Sequence, residues 1–381
     1  MTRVALVRGT LLRAVDLPTY EFGAGEGVEV ELFLSRGLAE RLGPVPFRVH
    51  GLRSPADLHA RLPLPVRMAV NAAVWNTDHL IGLEERVRGF DLIHTVELHA
   101  PIVEQSLRLR DAGHVRAVVS TVMENIPFFP ATSPLVRRRV ARIAPRVDLY
   151  VAVTERAKLH VLSHGVPEER VEVLPVGVDT ERFAPSPERR ASGGPLRVVT
   201  VSRLETGKGV EDLAIAAGLL ARRGVAIEVT YVGEGPSRPR IEEVARHFGI
   251  GDRVRFAGIV PWERLHEVHH EQDVFVLASA PTSNWREQFG YAVVEAMACG
   301  LPVLVGNSGS LMEVAGREDA LVTPHDPLSL AAALERLARD EALRAELGVW
   351  NRRRALERFD ARVVRARLRE LYERALYTRA P

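Results

Sequence analysis

Two carboxylates, one glycine and two cations are the residues whose types and spacing could do chemistry in this chain. Glu287 and Glu295 bracket Gly290 in the run Glu287-Gln-Phe-Gly-Tyr-Ala-Val-Val-Glu295. The stretch from Gly290 to Cys299 is rich in Ala and Val and stops at Gly300, which predicts a helix with a glycine after its end. With no side chain at Gly290, the free N–H groups and the positive end of the helix dipole can meet an anion closely. Carboxylates on either side can accept hydrogen bonds from sugar hydroxyls. The group therefore reads as a place for a sugar phosphate or a nucleotide sugar. The plainer alternative is a solvated loop Glu and a helix-face Glu paired with an Arg.

Arg203 and Lys208 are the two cations. Arg203 ends an apolar run, and Lys208 stands just before the next helical pattern, so both are expected on a strand-to-helix loop. The chain has 51 basic residues, and only Lys158 and Lys208 among them are lysine. A compact ammonium differs from a forked guanidinium, so a lysine kept in so arginine-biased a chain asks for a reason. Fixed cations beside a helix start would stabilise the charge that builds on a leaving diphosphate; otherwise they are a surface pair on a loop. Two rival phosphate motifs fail. A P-loop needs Ser or Thr after the lysine, where Gly209 stands. A dinucleotide fingerprint needs a third glycine after Gly233-Glu-Gly235, where position 238 is Arg.

The elements that must position these residues follow from the apolar pattern. Asp273–Ser279 and Leu301–Val305 are short β-branched runs, read as buried strands flanking the Gly290 helix in a parallel βαβ unit. Ligands bind at the carboxyl ends of such strands. Further strands are expected at Arg197–Ser202, Ile227–Val232 and Val254–Ala257, with helices at Val210–Arg223, Arg238–Phe248 and Leu328–Arg339. Upstream, strands are expected at Val4–Val7, Val28–Leu34, Val45–Val49, Asp91–Glu97, Ala117–Val122, Leu149–Val153 and Val171–Leu174. Helices are expected at Pro63–Val74 and Glu155–His164. Alternation of this kind implies doubly wound parallel sheets. The Pro-, Ser- and Gly-rich stretch Ala184–Pro195 is the best linker. Two domains are expected, residues 1–188 and 189–360, followed by an Arg-rich helix within 361–381.

The long motif Glu287-x-Phe-Gly-x-x-x-x-Glu295-Ala-Met-Ala-Cys-Gly-Leu-Pro-Val resembles the signature of family-four retaining glycosyltransferases. The resemblance implies the GT-B fold, an α/β architecture of two Rossmann-like, doubly wound domains facing across a cleft, with the last helix packing back on the first domain. It implies that Glu287 contacts the donor hexose, and that the backbone around Phe289, Gly290 and Tyr291 approaches the sugar and phosphates. Glu295 would bind the nucleotide ribose. Ser-Arg203-Leu-Glu-Thr-Gly-Lys208-Gly resembles the diphosphate-binding motif, and Gly233 with Gly235 the glycine turn near the nucleotide. Phe256-Ala-Gly258-Ile259-Val260 resembles the segment whose backbone reads the nucleobase. Gly309 matches one of two glycines near the phosphates, the second being Ser310 here.

The first half departs from that family. The strand Ala117–Val122 is followed by Met123, Glu124 and Asn125, where family members often carry a His near the reacting carbon. A thioether cannot do a histidine's proton chemistry. Met123-Glu-Asn-Ile-Pro-Phe128 resembles a branch with an acidic residue at this point. The usual glycine-rich loop after the first strand is replaced by Gly9-Thr10-Leu-Leu-Arg. The acceptor side is therefore expected at Gly9, Thr10, Glu97, His99, Glu124 and Asn125. Glu124, with Glu97 or His99, would orient or deprotonate the acceptor hydroxyl, or else these are a capping Glu and solvated strand-end groups.

Composition bounds the remaining functions. The net charge of +2 and 26% charged residues give no basic nucleic-acid surface. Cys299 is the only cysteine, so no intrachain disulfide forms and a reducing cytoplasm fits. No run approaches the ~18 apolar residues of a membrane span. His94 with His99 and His269 with His270 lack metal-site spacing, and no Asp-x-Asp would hold a divalent ion. The resemblance implies a retaining, metal-independent, cofactor-free hexosyltransferase using a UDP- or GDP-linked sugar, with Glu287, Glu124, Arg203 and Lys208 as its expected catalytic residues. The segment Leu135–Ile143, with Arg137, Arg138, Arg139 and Arg142, is basic and amphipathic. It is either a solvated helix face or a peripheral contact with an anionic inner membrane surface. A sugar phosphorylase, a nucleotide-sugar epimerase and a non-catalytic sugar-nucleotide sensor are the competing readings.

Overall fold

The computed structural model describes residues 1–59, 62–63, 66–67, 70, 78–129, 134–186 and 193–377. Two compact units are present: Met1–Gly177 together with Arg362–Pro381, and Val178–Ala361.

The first unit is built on seven parallel strands in the order β3-β2-β1-β4-β5-β6-β7. They are β1 (Thr2–Gly9), β2 (Val28–Ser35), β3 (Arg48–Leu52), β4 (Leu92–Val96), β5 (Ala117–Val122), β6 (Leu149–Ala152) and β7 (Val171–Val173). Strands β4, β5 and β6 are buried at every residue, the pattern of a parallel sheet covered on both faces. Strand β3 starts at Arg48 and not at Val45, because Pro44 and Pro46 have no N–H to give to a ladder. The expected helix Pro63–Val74 lies largely outside the described residues. Sequence reading also passed over the helix Pro101–Asp111, whose buried face includes Ile102, Val103 and Leu107.

The C-terminal helix Ala361–Tyr377 belongs to this first unit. Val364, Leu368, Leu371 and Ala375 recur at helical spacing and join the core formed by Val4, Leu6, Leu32, Leu92 and Val119. Tyr372 adds a buried hydrogen bond between its hydroxyl and His94 Nδ1 at 2.7 Å.

The second unit carries six parallel strands in the order β10-β9-β8-β11-β12-β13. They are β8 (Leu196–Val201), β9 (Ile227–Val232), β10 (Val254–Gly258), β11 (Val274–Leu277), β12 (Val303–Gly306) and β13 (Leu321–Val322). Its core gathers Val198, Leu213, Ala217, Tyr231, Val276, Leu304 and Leu334, from strands and from helices Val210–Arg222 and Pro327–Arg339. Residues 178–186 pack with this unit, upstream of the Pro- and Gly-rich stretch. Val178 N–H donates to Phe359 O at 2.7 Å, Ala361 N–H returns to Val178 O at 3.0 Å, and Phe183 is fully buried. Arg352 fastens the same segment by donating to the Thr180 and Phe183 carbonyls, each at 2.9 Å. Residues 187–192 of the expected linker lie outside the described residues.

Candidate active site

Each sheet reverses its winding once, between β1 and β4 in the first and between β8 and β11 in the second. Open α/β sheets leave room for a ligand beyond the strand ends at such a switch point. The residues singled out from the sequence fall at both places.

In the second unit, Lys208 closes the 3-10 turn Thr206–Lys208 that follows β8, and Ser279 lies just past β11. Glu287 connects them. Its Oε2 accepts from Lys208 Nζ at 2.7 Å and from Ser279 Oγ at 2.8 Å. Both ionised side chains are mostly shielded, 13% exposed for Lys208 and 11% for Glu287. The Lys208 ammonium also stands 4.4 Å from the ring centroid of Trp285, a cation–π contact. Arg203 goes elsewhere. Its side chain is 73% exposed and pairs with Glu205 at 2.8 Å.

The helix Tyr291–Ala298 begins at Gly290, which has φ +87 and leaves the first N–H groups without a side-chain cap. A β-carbon there would come within 2.7 Å of Leu311 Cδ2, so position and neighbour both ask for glycine. Phe289 is buried against Tyr291 and Phe359, with ring centroids 5.3 and 5.9 Å away. The Glu287 carbonyl accepts from Ser310 N–H at 2.9 Å, with Gly309 at φ +58 packed directly on the Glu287 backbone. Glu287 is thereby fixed from both ends, by its carboxylate and by its main chain.

Three more strand ends meet nearby in this unit. Gly233 and Gly235 lie against the Ser202 and Leu204 main chain too closely for any side chain. Leu204 N–H donates to Glu234 O at 2.9 Å, and Gly233 N–H to Gly258 O at 2.7 Å. Beyond β10, Ile259 is 79% exposed and Val260 half-buried. Glu295 is 2% exposed, and its Oε1 accepts the indole N–H of Trp262 at 2.7 Å. Burial pushes its carboxyl up to about 7, with the Trp262 hydrogen bond acting against the shift.

In the first unit, the Gly9–Thr10 turn after β1 is tied to buried Asp78. Thr10 donates to its two carboxylate oxygens from N–H at 3.2 Å and from Oγ1 at 2.6 Å. Glu97, at the end of β4, holds φ +60, a conformation that costs a non-glycine residue about 1–3 kcal/mol. Its Oε1 accepts from Met123 N–H at 3.1 Å, while Oε2 is buried without a hydrogen-bond partner among the described residues. Burial first, and the charge of Glu124 second, push the Glu97 carboxyl up to about 8. Glu124 Oε1 accepts from Asn125 and Ile126 N–H, each at 2.9 Å, so it caps its own loop while remaining close to Glu97. Asn125 is 1% exposed. His99 is buried, and burial followed by His160 and Arg139 pushes its imidazole down to about 3. It is neutral at physiological pH.

The basic helix Pro134–Ile143 buries Val136, Val140 and Ile143, so its apolar stripe is spent on the unit's own core. Arg142 pairs with Glu104 at 2.6 Å, and Arg139 donates to the His99 carbonyl at 3.4 Å. Arg137 and Arg138 are exposed, as is Leu135.

Sequence reasoning missed Ser279, Asp78, Trp262 and the contact of Trp285 with Lys208. Tryptophan scarcity was the available signal. The chain has four, and two of them touch residues already singled out.

The chain is similar in sequence and fold to known proteins. The family model "Glycosyl transferases group 1" matches residues 184–354, and "Glycosyltransferase Family 4" matches residues 23–182. The chain is 32% identical over 283 residues to the GDP-mannose-dependent alpha-(1-6)-phosphatidylinositol monomannoside mannosyltransferase of Mycolicibacterium smegmatis, spanning 71% of this chain and 74% of that protein. It is 30% identical over 324 residues to the D-inositol 3-phosphate glycosyltransferase of Thermobispora bispora, spanning 81% and 70%. Among solved structures, Anabaena Alr3699/HepE in complex with UDP superposes with a TM-score of 0.73 at 19% identity, over 98% of this chain and 100% of that one. No helix among the described residues is long and apolar enough to cross a membrane. With the two winding patterns, the GT-B likeness and relatives matched over most of their length, the chain is a glycosyltransferase of family 4.

Proposed function

We propose that this glycosyltransferase is a retaining, metal-independent hexosyltransferase that takes its sugar from a nucleoside diphosphate sugar. The observation that carries the reading is the cluster of Lys208, Glu287 and Ser279 at the switch point of the second sheet, in the same unit as the bare helix start at Gly290. A carboxylate shielded from water holds an ammonium there, and both have the chemistry the donor needs. When the donor binds, Lys208 turns to the diphosphate, and Glu287 accepts hydrogen bonds from the hexose hydroxyls. As the glycosidic bond breaks, the sugar becomes oxocarbenium-like and the leaving diphosphate gains negative charge. Lys208 and the helix N–H groups oppose that charge, each such contribution typically worth roughly 3 kcal/mol of barrier. The acceptor hydroxyl attacks on the face the leaving group vacates, and its proton passes to a base or to the departing phosphate.

These positive groups do the work a divalent ion would otherwise do, so the reading calls for no metal and no cofactor. Undiminished turnover in EDTA is the expected result, and a loss restored by Mg²⁺ would overturn this point. Glu295 holds the ribose. Glu124, with Glu97 or His99, orients or deprotonates the acceptor hydroxyl, and Glu124→Gln with unchanged turnover would remove it from the mechanism. The acceptor is a hydroxyl of a glycan, glycolipid or glycoside. Exposed Arg137 and Arg138 support a peripheral, electrostatic contact with anionic lipid, which salt-insensitive or absent co-sedimentation with liposomes would rule out.

A thermal-shift screen tests the donor reading, because a tight ligand raises apparent stability by mass action. GDP-mannose comes first, on the strength of the mannosyltransferase relative, then UDP-glucose and other UDP- and GDP-hexoses. A melting temperature unmoved by any of them refutes the reading.

A further inference from the structure

The Glu295 carboxylate is covered, and the group that covers it is Trp262. Trp262 opens the 3-10 turn Trp262–Arg264, directly after the segment Gly258–Pro261 that follows β10. Its indole is held in turn. The Arg182 guanidinium stands 4.5 Å from its ring centroid, and the ring of fully buried Phe183 lies at 5.8 Å. An indole packed in this way cannot swing off Glu295 without giving up both contacts. Its N–H donates to Oε1, and Oε2 has no hydrogen-bond partner among the described residues. One oxygen is therefore anchored and the other is left to a ligand.

The surroundings leave Trp262 alone in this task. The titratable groups on the elements packed around Glu295 are Tyr291 and Cys299 on its own helix and cap, His266, Glu267, His269 and His270, Glu313, Glu341, Arg344, Glu346, Arg352, Arg353 and Arg354, and Glu357 and Arg358. Burial keeps the Cys299 thiol up near about 12 and His269 down near about 3, so both are neutral. Arg352 is spent on main-chain carbonyls of Thr180, Phe183 and Ala298. None of these groups shifts Glu295. Burial raises its carboxyl to about 7, and the indole N–H is the one group working the other way.

We propose that Trp262 is a positioning residue for the donor nucleotide: its indole N–H orients the Glu295 carboxylate for the ribose hydroxyls and joins that acid to the segment Gly258–Pro261. The inference rests on the reading of Glu295 as the ribose contact. Nucleotide recognition then depends on one hydrogen bond between a turn and a helix 33 residues apart. An ionised carboxylate accepts a ribose hydroxyl well, and a protonated carboxyl does so poorly. Ribose recognition accordingly improves as pH rises through neutrality.

The test uses the full chain, with GDP and UDP and the 2′,3′-dideoxy form of whichever binds, titrated from pH 6 to pH 9. The wild type prefers the ribonucleotide, and the preference grows with pH. Trp262→Phe keeps the ring against Phe183 and Arg182 but removes the N–H. Loss of that bond pushes the carboxyl further up, so a smaller share of it is ionised at pH 7. The ribo-over-dideoxy preference should then fall about fivefold at pH 7, the worth of one hydrogen bond of ordinary strength, and return at pH 9. Trp262→His restores a ring N–H and should recover part of the preference. Suppose Trp262→Phe keeps the wild-type preference at pH 7 while Glu295→Gln abolishes it; the inference is then wrong and the ribose reading stands. Equal weakening of both nucleotides at every pH also overturns it, since lost packing would do that. If Glu295→Gln leaves the preference intact, or neither nucleotide binds, the ribose reading falls and takes the inference with it.

Discussion

Substituting Gly309 by alanine tests whether the position of Glu287 governs the reaction. Gly309 has φ +58, where an L-residue costs roughly 1–2 kcal/mol relative to glycine. The new β-carbon would also stand 2.9 Å from both the Glu287 carbonyl carbon and its amide nitrogen, and nearer still to its oxygen. Ordinary contact between such atoms begins near ~3.5 Å. The Glu287 main chain must therefore retreat by at least about half an ångström. Its neighbour Ser310, which donates to the same carbonyl at 2.9 Å, moves with it or loses the bond.

A misplacement near 1 Å at reacting groups can cost about 100-fold, so Gly309→Ala should lower kcat/KM by roughly 10- to 100-fold. Gly249→Ala is the control. Gly249 ends the helix Arg238–Phe248 at φ +68, and an added β-carbon there meets nothing within 4 Å. It carries the same backbone cost without the collision. Both variants should melt at a lower temperature than the wild type, and only Gly309→Ala should lose activity in steady-state assays with the donor found by the thermal-shift screen. A fully active Gly309→Ala would refute the argument that Glu287 is placed by its main-chain packing. Equal activity loss in both variants would show that backbone strain alone, and not displacement of Glu287, is responsible.

Lys208→Arg keeps the charge but must fit a forked guanidinium between Glu287 at 2.7 Å and the Trp285 ring at 4.4 Å; a fall in kcat/KM of about 100-fold is expected, and wild-type kinetics would show that charge alone suffices. Glu97 has its carboxyl raised to about 8, so its stabilising contribution is full below about pH 4.5 and is lost as pH rises toward 8. The melting temperature of Glu97→Gln relative to wild type should therefore climb between pH 5 and pH 8, and a flat difference would contradict the buried-acid reading. His160, pushed down to about 4 by burial and by His164, works in the opposite sense: its contribution is full above about pH 6.5 and is lost as pH falls toward 4. His160→Gln should consequently lose less melting temperature than the wild type between pH 7 and pH 5.

Much of the second unit was legible because its chemistry is local. Gly290, Glu295 and Gly300 lie on one helix and its ends, and their spacing alone fixes which end is bare. Lys208 stood out because the chain uses arginine almost everywhere else. The parallel sheets were legible for a similar reason, since strands buried on both faces read as unbroken apolar runs. What escaped were pairings between distant segments. Thr10 with Asp78, Trp262 with Glu295 and Val178 with Asp360 each join residues that no local pattern connects. The last of these explains why residues 178–183 pack with the second unit although the composition changes only after them.

Protonation was the least legible property of all. Glu97 and Glu295 are ordinary letters in the sequence, and a carboxyl's charge depends on what covers it. Glu97 is covered by its own sheet, with Glu124 repelling its ionised form, so burial and a like charge act together. Glu295 is covered as deeply, but an indole brought from a distant loop opposes the shift, and its carboxyl rises less. Two acids of one type are thereby set apart at neutral pH: Glu97 is poised to hold a proton, and Glu295 to titrate. The charge of Glu124 acts on the first and the Trp262 N–H on the second, and because that N–H is the one group opposing burial at Glu295, Trp262 is the residue to change first.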